Sequence, residues 1–322
     1  MSKARVAVLI SGRGSNMAAL IEAAKDPAYP AEIVLVLSNI ADAGGLDIAQ
    51  AAGIETAVIA HAPFGKDREA HERMIDARLR QSGVQIVALA GYMRVLTPYL
   101  VETWAGRMIN IHPSLLPLYK GLDTHGRAIA AGDRYAGTSV HLVTPELDAG
   151  EVLAQVRVPI APGDTPDSLA ERVKFAEHQL YPRAVAEYVG RWRDPAHLLA
   201  RLRALALALA ETDERESHGS PGFRVGGDKS GKYFAYFADQ HHGTPHIALL
   251  VRTGSMDELL ALVEDQPEIY FKPAYYGASG WVGIILNRPG VDWDEVAEWL
   301  HRSWRSVAPK RLTRMMDIAD EF

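Results

Sequence analysis

The sequence contains no cysteine, and it is equally short of long apolar runs. Without cysteine its 322 residues can form no disulfide, no thiolate nucleophile and no Cys-based zinc site. No apolar run reaches the length of about 18 residues that a transmembrane helix needs. The apolar run at 6–10 is too short for the core of a signal peptide, so we expect a cytoplasmic protein.

An excess of basic residues is also missing. The chain has 34 Lys and Arg against 40 Asp and Glu, which gives a net charge of -6. This balance argues against a dedicated nucleic-acid-binding protein, whose contact surface would be basic. Hydrophobic residues make up 48% of the chain, and its length suits two domains. The composition leaves association into a homo-oligomer open.

Short β-branched runs alternate with helical stretches through the first 160 residues. This alternation predicts an α/β domain with a Rossmann-like, mostly parallel sheet and flanking helices. The predicted strands are 6–10, 32–38, 56–60, 85–90, 108–111, 138–143 and 152–159. The predicted helices are 17–24, 43–52, 68–81 and 166–190.

The pattern changes near residue 195, where we expect a domain boundary between residues 1–192 and a second domain at 196–322. Strands are predicted there at 223–226, 232–238, 246–253 and 281–286, and helices at 196–211, 256–264 and 292–307. This order is typical of a smaller α+β domain. The apolar stripe of the last helix is predicted to face the core, and it consists of Val296, Trp299, Leu300 and Trp304.

The first strand leads into the glycine-rich turn SGRGSN at 11–16, directly before a helix. Free N–H groups and the helix dipole at such a turn favour an anion, although an ordinary tight turn has the same composition. The spacing differs from the dinucleotide-binding pattern, and Ser38 and Asn39 stand where that pattern needs an acid. The turn therefore favours a phosphate monoester over a nicotinamide cofactor.

The predicted strand at 108–111 delivers two polar side chains to one site. Asn110 and His112 are two residues apart, so they point to the same face of the strand, and Pro113 ends its pairing. Ligands of open α/β sheets bind beyond the carboxyl ends of the strands. Asp148 lies in an acidic turn at 146–150, between two later strands, and whether it meets His112 depends on the fold.

Residues 4–190 resemble the folate-dependent glycinamide ribonucleotide formyltransferases. The resemblance rests on six motifs in order: SGRGSN at 11–16, AGYMRVL at 90–96, NIHPSLLP at 110–117, GTSVH at 137–141, ELDAG at 146–150 and EHQLYP at 177–182. Relatives often carry Pro-Gly-Leu-His where residues 120–123 here are Lys-Gly-Leu-Asp, a difference that concerns loop conformation.

The resemblance implies the formyltransferase fold and a catalytic trio of Asn110, His112 and Asp148. It implies that the ribonucleotide substrate is bound by Gly14, Ser15, Asn16, Lys174 and Glu177. The implied co-substrate is 10-formyltetrahydrofolate, in a site lined by Arg68, Met93, Arg94, Val95, Leu96, Asn110, Thr144, Pro145, Glu146, Leu147 and Asp148. No metal is implied.

The implied reaction transfers a formyl group to the amine of 5'-phosphoribosylglycinamide in de novo purine synthesis. The amine attacks the formyl carbon and forms a tetrahedral oxyanion, to which Asn110 and protonated His112 can donate hydrogen bonds. Asp148 would favour the charged imidazole and would relay a proton to the folate nitrogen that leaves.

The second domain carries FRVGG at 223–227, GWVG at 280–283, DWDEV at 292–296 and a segment at 304–312 with APKRL. On these, residues 196–314 resemble the MmcQ/YjbR family of small domains, whose fold is similar to DNA-binding modules of other proteins. The basic side chains near its end are predicted to form a solvated face, and they are Lys310, Arg311 and Arg314.

Two other functions stay open. The first is another enzyme of 10-formyltetrahydrofolate, either a formyltransferase to a different amine or a hydrolase. A hydrolase is expected to carry a regulatory domain before strand one, and Met1 precedes Val6 by five residues. The second is a regulatory fusion whose C-terminal domain binds nucleic acid, against which the intact trio argues.

Overall fold

A computed structural model of the protein describes residues 3–227 and 231–319, with side chains described as far as Arg314. The chain divides into two compact units, Met1–Gly190 and Arg191–Phe322. No helix among the described residues is long and apolar enough to cross a membrane.

The first unit is built on a seven-stranded sheet. Its strands in chain order are β1 Ala4–Ile10, β2 Ala31–Ser38, β3 Thr56–Val58, β4 Ile86–Leu89, β5 Met108–His112, β6 Tyr135–Leu142 and β7 Val152–Pro159. Their spatial order is β3-β2-β1-β4-β5-β6-β7. The pairs from β3 through β5 are parallel, while β6 is antiparallel to both of its neighbours. The predicted Rossmann-like, mostly parallel sheet is confirmed.

Helices connect these strands: α1 Ser15–Ala24, α2 Gly45–Ala51, α3 Arg68–Gln81, α4 Pro98–Thr103, α5 Thr124–Ala130 and α6 Pro166–Arg191. The predicted bounds of α3 agree with the structure, where the carboxylate of Asp67 caps the helix by accepting from the Ala70 N–H. The short helices α4 and α5 were not predicted from the sequence, because six or seven residues show too little periodicity to identify a helix.

The winding of the sheet reverses between β1 and β4. From β1 the chain proceeds outward to β2 and β3, and it then returns to pair β4 on the other side of β1. The segments that follow Ile10 and Leu89 therefore leave neighbouring strands at the same edge. This is the topological switch point at which open α/β sheets bind ligands.

A buried tyrosine of α6 hydrogen-bonds to the centre of this sheet. The hydroxyl of Tyr181 lies 3.0 Å from the carbonyl oxygen of Leu89 and 3.2 Å from that of Ile109. These carbonyls belong to β4 and β5, and the Tyr181 side chain is fully buried. The contact fixes the helix that carries Lys174 and Glu177 relative to the strand that carries Asn110.

The second unit has a six-stranded antiparallel sheet with helices. Its elements in chain order are α7 Pro195–Ala206, β8 Thr212–Ser217, β9 Ser220–Val225, β10 Lys232–Asp239, β11 Ile247–Arg252, α8 Met256–Asp265, β12 Tyr270–Phe271, β13 Trp281–Ile285, α9 Trp293–Val307 and α10 Lys310–Ala319. The strand order is β12-β13-β11-β10-β9-β8. The predicted α+β class is confirmed, and so is the core-facing stripe of α9, whose four apolar residues join the main cluster of this unit.

The predicted helix at 196–211 is wrong beyond Ala206. The chain turns after Ala206, Glu211 adopts a left-handed φ of 51°, and β8 begins at Thr212. Helix propensity of the Ala and Leu residues is a weak preference, and pairing of β8 with β9 overrides it. Strands β8 and β12 and helix α10 were not predicted.

We expect Tyr181→Phe to destabilise the first unit by about 1–3 kcal/mol, because it removes a buried hydroxyl from two carbonyl oxygens. Calorimetry of the full chain should show a lower midpoint for one transition. Tyr135→Phe is the matched control, since that side chain is 43% exposed and its change should stay within about 0.5 kcal/mol. Equal effects of the two substitutions would contradict the role of Tyr181 in holding α6 against the sheet.

Candidate active site

Strand β5 presents the first two predicted site residues on one face. Asn110 pairs in register with His141 of β6, and His112 pairs with Ser139. Asn110 is half-buried, while His112 is only 7% exposed. The structure therefore brings the amide and the imidazole to neighbouring positions on the strand, as their spacing predicted.

Both ring nitrogens of His112 face hydrogen-bond acceptors. Nδ1 lies 3.5 Å from Oδ2 of Asp148, and Nε2 lies 3.0 Å from the carbonyl oxygen of Tyr119. A neutral imidazole carries one N–H, whereas the cation carries two. The Nε2 position therefore suits an N–H that donates to Tyr119, while Nδ1 adjoins the Asp148 carboxylate.

Asp148 reaches this position through a constrained turn between β6 and β7. Its backbone is left-handed, with φ 48°, and its side chain is only 7% exposed. Oδ2 also accepts from the Gly121 N–H at 2.9 Å. Two residues later the chain passes against β6 so closely that a Cβ on Gly150 would lie 1.8 Å from the Leu142 carbonyl oxygen. The glycine at 150 is therefore required for the turn that delivers Asp148.

His141 is a site residue to which the sequence analysis assigned no role. Its Nε2 lies 3.2 Å from Nδ2 of Asn110 and 3.6 Å from Oδ1 of Asp148, and its Nδ1 lies 2.8 Å from the Leu142 carbonyl oxygen. Burial lowers the pKa of His141, which favours the neutral ring. In that form Nδ1 donates to Leu142, and Nε2 accepts one amide N–H of Asn110. The motif GTSVH, which places His141 on a strand, was the available signal.

The glycine-rich turn after β1 opens directly into α1. Gly14 is buried and left-handed with φ 70°, and the helix begins at Ser15. The first N–H groups of a helix have no partner within it, so they are donors for an anion. The turn is compact, because a Cβ on Gly14 would lie 3.0 Å from the Cα of Gly45.

Asn16 and Glu177 meet although 161 residues separate them. Nδ2 of Asn16 donates to Oε2 of Glu177 at 2.8 Å, and the hydroxyl of Thr138 lies 3.5 Å from Oε1. Oδ1 of Asn16 is buried and has no partner among the described residues. A buried acceptor of this kind is costly unless a ligand or water donates to it.

Glu177 is a buried carboxylate with a perturbed pKa. It is 8% exposed, and burial raises its pKa above the ordinary value of 4.5. The hydrogen bond from Asn16 opposes the rise, as do the charges of His112 and Lys174. The Lys174 ammonium itself lies 3.5 Å from Glu171, at the surface. The structure thus brings Asn16 and Glu177 into contact, while no described contact joins Lys174 to the turn.

The residues predicted to line the folate site occupy two segments. In the first, Arg68 donates from Nη1 to the Val95 carbonyl oxygen at 3.2 Å, and Leu96 packs against the core. Met93 is 72% exposed, whereas Arg94 is half-buried and adds to the lowering of the His71 pKa that burial causes.

The second segment is the loop that ends at Asp148. Thr144, Pro145, Glu146 and Leu147 are all exposed there. The Thr144 hydroxyl donates to the Glu146 carbonyl oxygen at 3.1 Å, and Glu146 pairs with Lys120 at 2.9 Å. The apolar side chains exposed in the two segments are Met93, Val95 and Leu147.

Within residues 3–227 and 231–319, no group of three or more His, Asp or Glu side chains is arranged to hold a metal ion.

Comparison with known proteins covers the two units separately. The formyl transferase family profile matches residues 4–185, and the YjbR profile matches residues 207–306. The phosphoribosylglycinamide formyltransferase of Escherichia coli K12 is 45% identical over 181 residues, which are 56% of this chain and 85% of that protein. A phosphoribosylglycinamide formyltransferase structure from Brucella melitensis is 52% identical, with TM-score 0.56, and the match covers 58% of this chain and 96% of that one.

Other relatives are much longer than the matched region. The trifunctional purine biosynthetic protein adenosine-3 of Bos taurus is 49% identical over 183 residues, which are 57% of this chain and 18% of that protein. The chain therefore spans less than a fifth of the length of this trifunctional relative.

The raised pKa of Glu177 predicts a pH-dependent contribution to stability. Between the ordinary pKa and the raised folded value, the folded state binds more protons than the unfolded state, so stability falls as pH rises through that window. Glu177→Gln should therefore be more stable than the wild type above the window and no more stable below pH 4.5.

The substitution can keep every hydrogen bond of the site. The Gln oxygen accepts from Asn16, and its amide nitrogen donates to the hydroxyl of Thr138, which itself donates to the His112 carbonyl oxygen at 3.0 Å. Urea unfolding at several pH values measures the difference. A stability gain that does not depend on pH would show that ionisation of Glu177 is not its cause.

Proposed function

Because the chain belongs to the formyl transferase family, we propose that it transfers the formyl group of 10-formyltetrahydrofolate to the amine of 5'-phosphoribosylglycinamide, a step of de novo purine (IMP) synthesis. The observation that carries the proposal is the position of His112, which lies between Asp148 and the Tyr119 carbonyl oxygen and shares a strand face with Asn110. These groups supply the donors and the carboxylate that formyl transfer to an amine requires.

The first step forms a bond between the amine nitrogen and the formyl carbon. The carbonyl oxygen becomes an oxyanion, which needs fixed N–H donors. One N–H of the Asn110 amide donates to Nε2 of His141, and its second N–H is available to donate to the oxyanion. His112 donates from one of its two nitrogens after the oxyanion replaces that nitrogen's present acceptor. Neutral His141 holds the Asn110 amide in the donating orientation.

The second step breaks the bond between the formyl carbon and the folate nitrogen. The attacking nitrogen loses a proton and the leaving nitrogen gains one, so a base must pass this proton on. Asp148 is the carboxylate next to His112, and its Oδ1 and Oδ2 face different partners. We assign the relay to Asp148, directly or through one water. The mechanism uses N–H donors against the oxyanion and requires no metal ion.

The substrate sites follow from the polar groups around this centre. The turn formed by Gly14, Ser15 and Asn16 offers helix N-terminal N–H groups to the ribonucleotide phosphate. The buried Oδ1 of Asn16 and the carboxylate of Glu177 face the polar groups of the same substrate, and Lys174 adds a positive charge. The folate lies along the exposed Met93, Val95 and Leu147.

We place this reaction in the cytoplasm, with small molecules as the partners of the protein. The acidic balance of the chain opposes nucleic-acid binding by either unit. The experiment that tests the function incubates the purified chain with 10-formyltetrahydrofolate and glycinamide ribonucleotide and follows the folate product by absorbance. Release of formate without use of the amine would indicate a hydrolase instead.

Removal of either oxyanion donor should lower turnover strongly. We expect Asn110→Ala to lose about 10²–10³ in kcat, because one oxyanion donor contributes this much. His112→Ala should lose at least as much, since it removes a donor and leaves Asp148 buried without its cationic partner. His197→Ala, on the exposed side of α7, is the control that should keep full turnover. Near wild-type kcat in both active-site variants would refute the assignment.

A fragment that ends at Arg191 should fold and keep formyl transfer. Every residue of the proposed mechanism lies at or before Glu177, and the first compact unit ends at Gly190. The second unit has its own core, so we propose that it has no part in the chemistry. Circular dichroism and steady-state kinetics of the fragment measure this. A folded fragment with a sharply raised KM for the ribonucleotide would show that the units are coupled at the substrate site.

A further inference from the structure

Hydrogen bonds connect the segment that follows β4 to the turn that follows β1. The N–H of Ser11 donates to the Gly91 carbonyl oxygen at 3.1 Å, and the N–H of Met93 donates to the Ser11 hydroxyl at 2.8 Å. Ser11 is the first residue of the turn at 11–16, and Met93 begins the stretch expected to contact folate. A single serine therefore bridges the two proposed substrate sites at the switch point of the sheet.

The orientation of the Ser11 hydroxyl is fixed on its other side. It donates to Oδ1 of Asn39 at 2.6 Å, and Asn39 is only 3% exposed. The Asn39 amide nitrogen in turn lies 3.1 Å from Nδ1 of His61. The Ser11 hydroxyl donates its single proton to Asn39. One of its lone pairs is therefore left to accept the Met93 N–H. The bridge is thus held in one arrangement by a buried amide.

The far end of the same segment is anchored independently. The carboxylate of Glu72 is 3% exposed and accepts the Thr97 N–H at 2.9 and 3.1 Å, together with the Thr97 hydroxyl. Between the two anchors the side chains of Met93 and Val95 are 72% and 60% exposed. The backbone is therefore held at both ends, while the side chains between them remain open to a ligand.

We propose that Ser11 is a positioning residue that couples the two substrate sites. The inference rests on the proposed function, because it takes the turn at 11–16 as the phosphate site and 93–96 as the folate site. The Ser11 hydroxyl fixes the Met93 amide relative to the turn. A phosphate that stabilises the turn therefore also stabilises the segment that the folate contacts. Each substrate consequently raises the affinity for the other.

The test compares four full-length proteins: wild type, Ser11→Ala, Ser11→Thr and Ser82→Ala. Ser82 is the matched control, because its hydroxyl bonds the Arg78 carbonyl oxygen at 3.1 Å in the turn after α3 and touches no proposed substrate residue. Calorimetric titration gives the Kd of a non-reactive folate analogue with and without saturating glycinamide ribonucleotide. Steady-state assays of each protein give kcat and both KM values.

We expect Ser11→Ala to weaken binding of the analogue about tenfold, as loss of one well-placed hydrogen bond does, and to abolish the gain in affinity caused by the ribonucleotide. Ser11→Thr keeps the hydroxyl, so it should restore both the affinity for the analogue and the gain caused by the ribonucleotide. Ser82→Ala should match wild type. Wild-type affinity and coupling in Ser11→Ala would overturn the proposal, and so would equal losses in Ser82→Ala.

Hydrogen exchange of the wild-type protein tests the same link without a substitution. Addition of inorganic phosphate should slow exchange of the peptide that contains Met93, and unchanged exchange there with slowed exchange at 11–16 would overturn the coupling. A wild type that binds the folate analogue but transfers no formyl group would refute the proposed function alone. The binding comparison would still decide the role of Ser11.

Discussion

The parallel pairing of β1 with β4 is the constraint on which the site depends. Because the chain leaves β1 in one direction and returns on its other side, the segments after Ile10 and Leu89 emerge next to each other. Strand β5 then adds Asn110 and His112 beside β4. If β1 and β4 were not neighbours, the glycine-rich turn and the segment at 91–97 would not emerge side by side. Burial of β1 and β4 thus stabilises the fold and assembles the site at the same time.

The site is assembled at a cost to the stability of the domain. Glu177, Asp148 and His141 are all nearly buried, and burial of polar or charged groups is unfavourable unless each finds partners. Asp148 and Tyr119 also adopt left-handed backbone conformations, with φ 48° and 53°, which non-glycine residues rarely do. Such features persist only where the surrounding structure imposes them. Asp148 and Tyr119 both adjoin the His112 ring, so two of these strained positions lie next to this side chain.

The sequence predicted what depends on local pattern and missed what depends on tertiary pairing. Helical spacing of the residues identified α3, and the strand face shared by Asn110 and His112 followed from their spacing. Strand β8 was missed because its sequence, TDERES, is polar on both faces, and only its pairing with β9 makes it a strand. The contacts of Asp148 with His112 and of Asn16 with Glu177 could not be derived, because they join segments that meet only when the sheet is complete. The resemblance supplied those residues without their geometry.

Short hydroxyl side chains join the separate parts of the site. Ser11 links the turn at 11–16 to Met93, and Thr138 links the His112 carbonyl oxygen to Glu177. Tyr181 links α6 to the carbonyl ends of two strands. The Ser11 hydroxyl donates to Asn39 and accepts from Met93, and each of the three hydroxyls lies within hydrogen-bond distance of groups from two separate segments. Long charged side chains such as Lys174 lack this property. The relative positions of the turn at 11–16, helix α6 and strands β4 and β5 are therefore fixed in part by hydroxyls, whereas Lys174 lies at the surface.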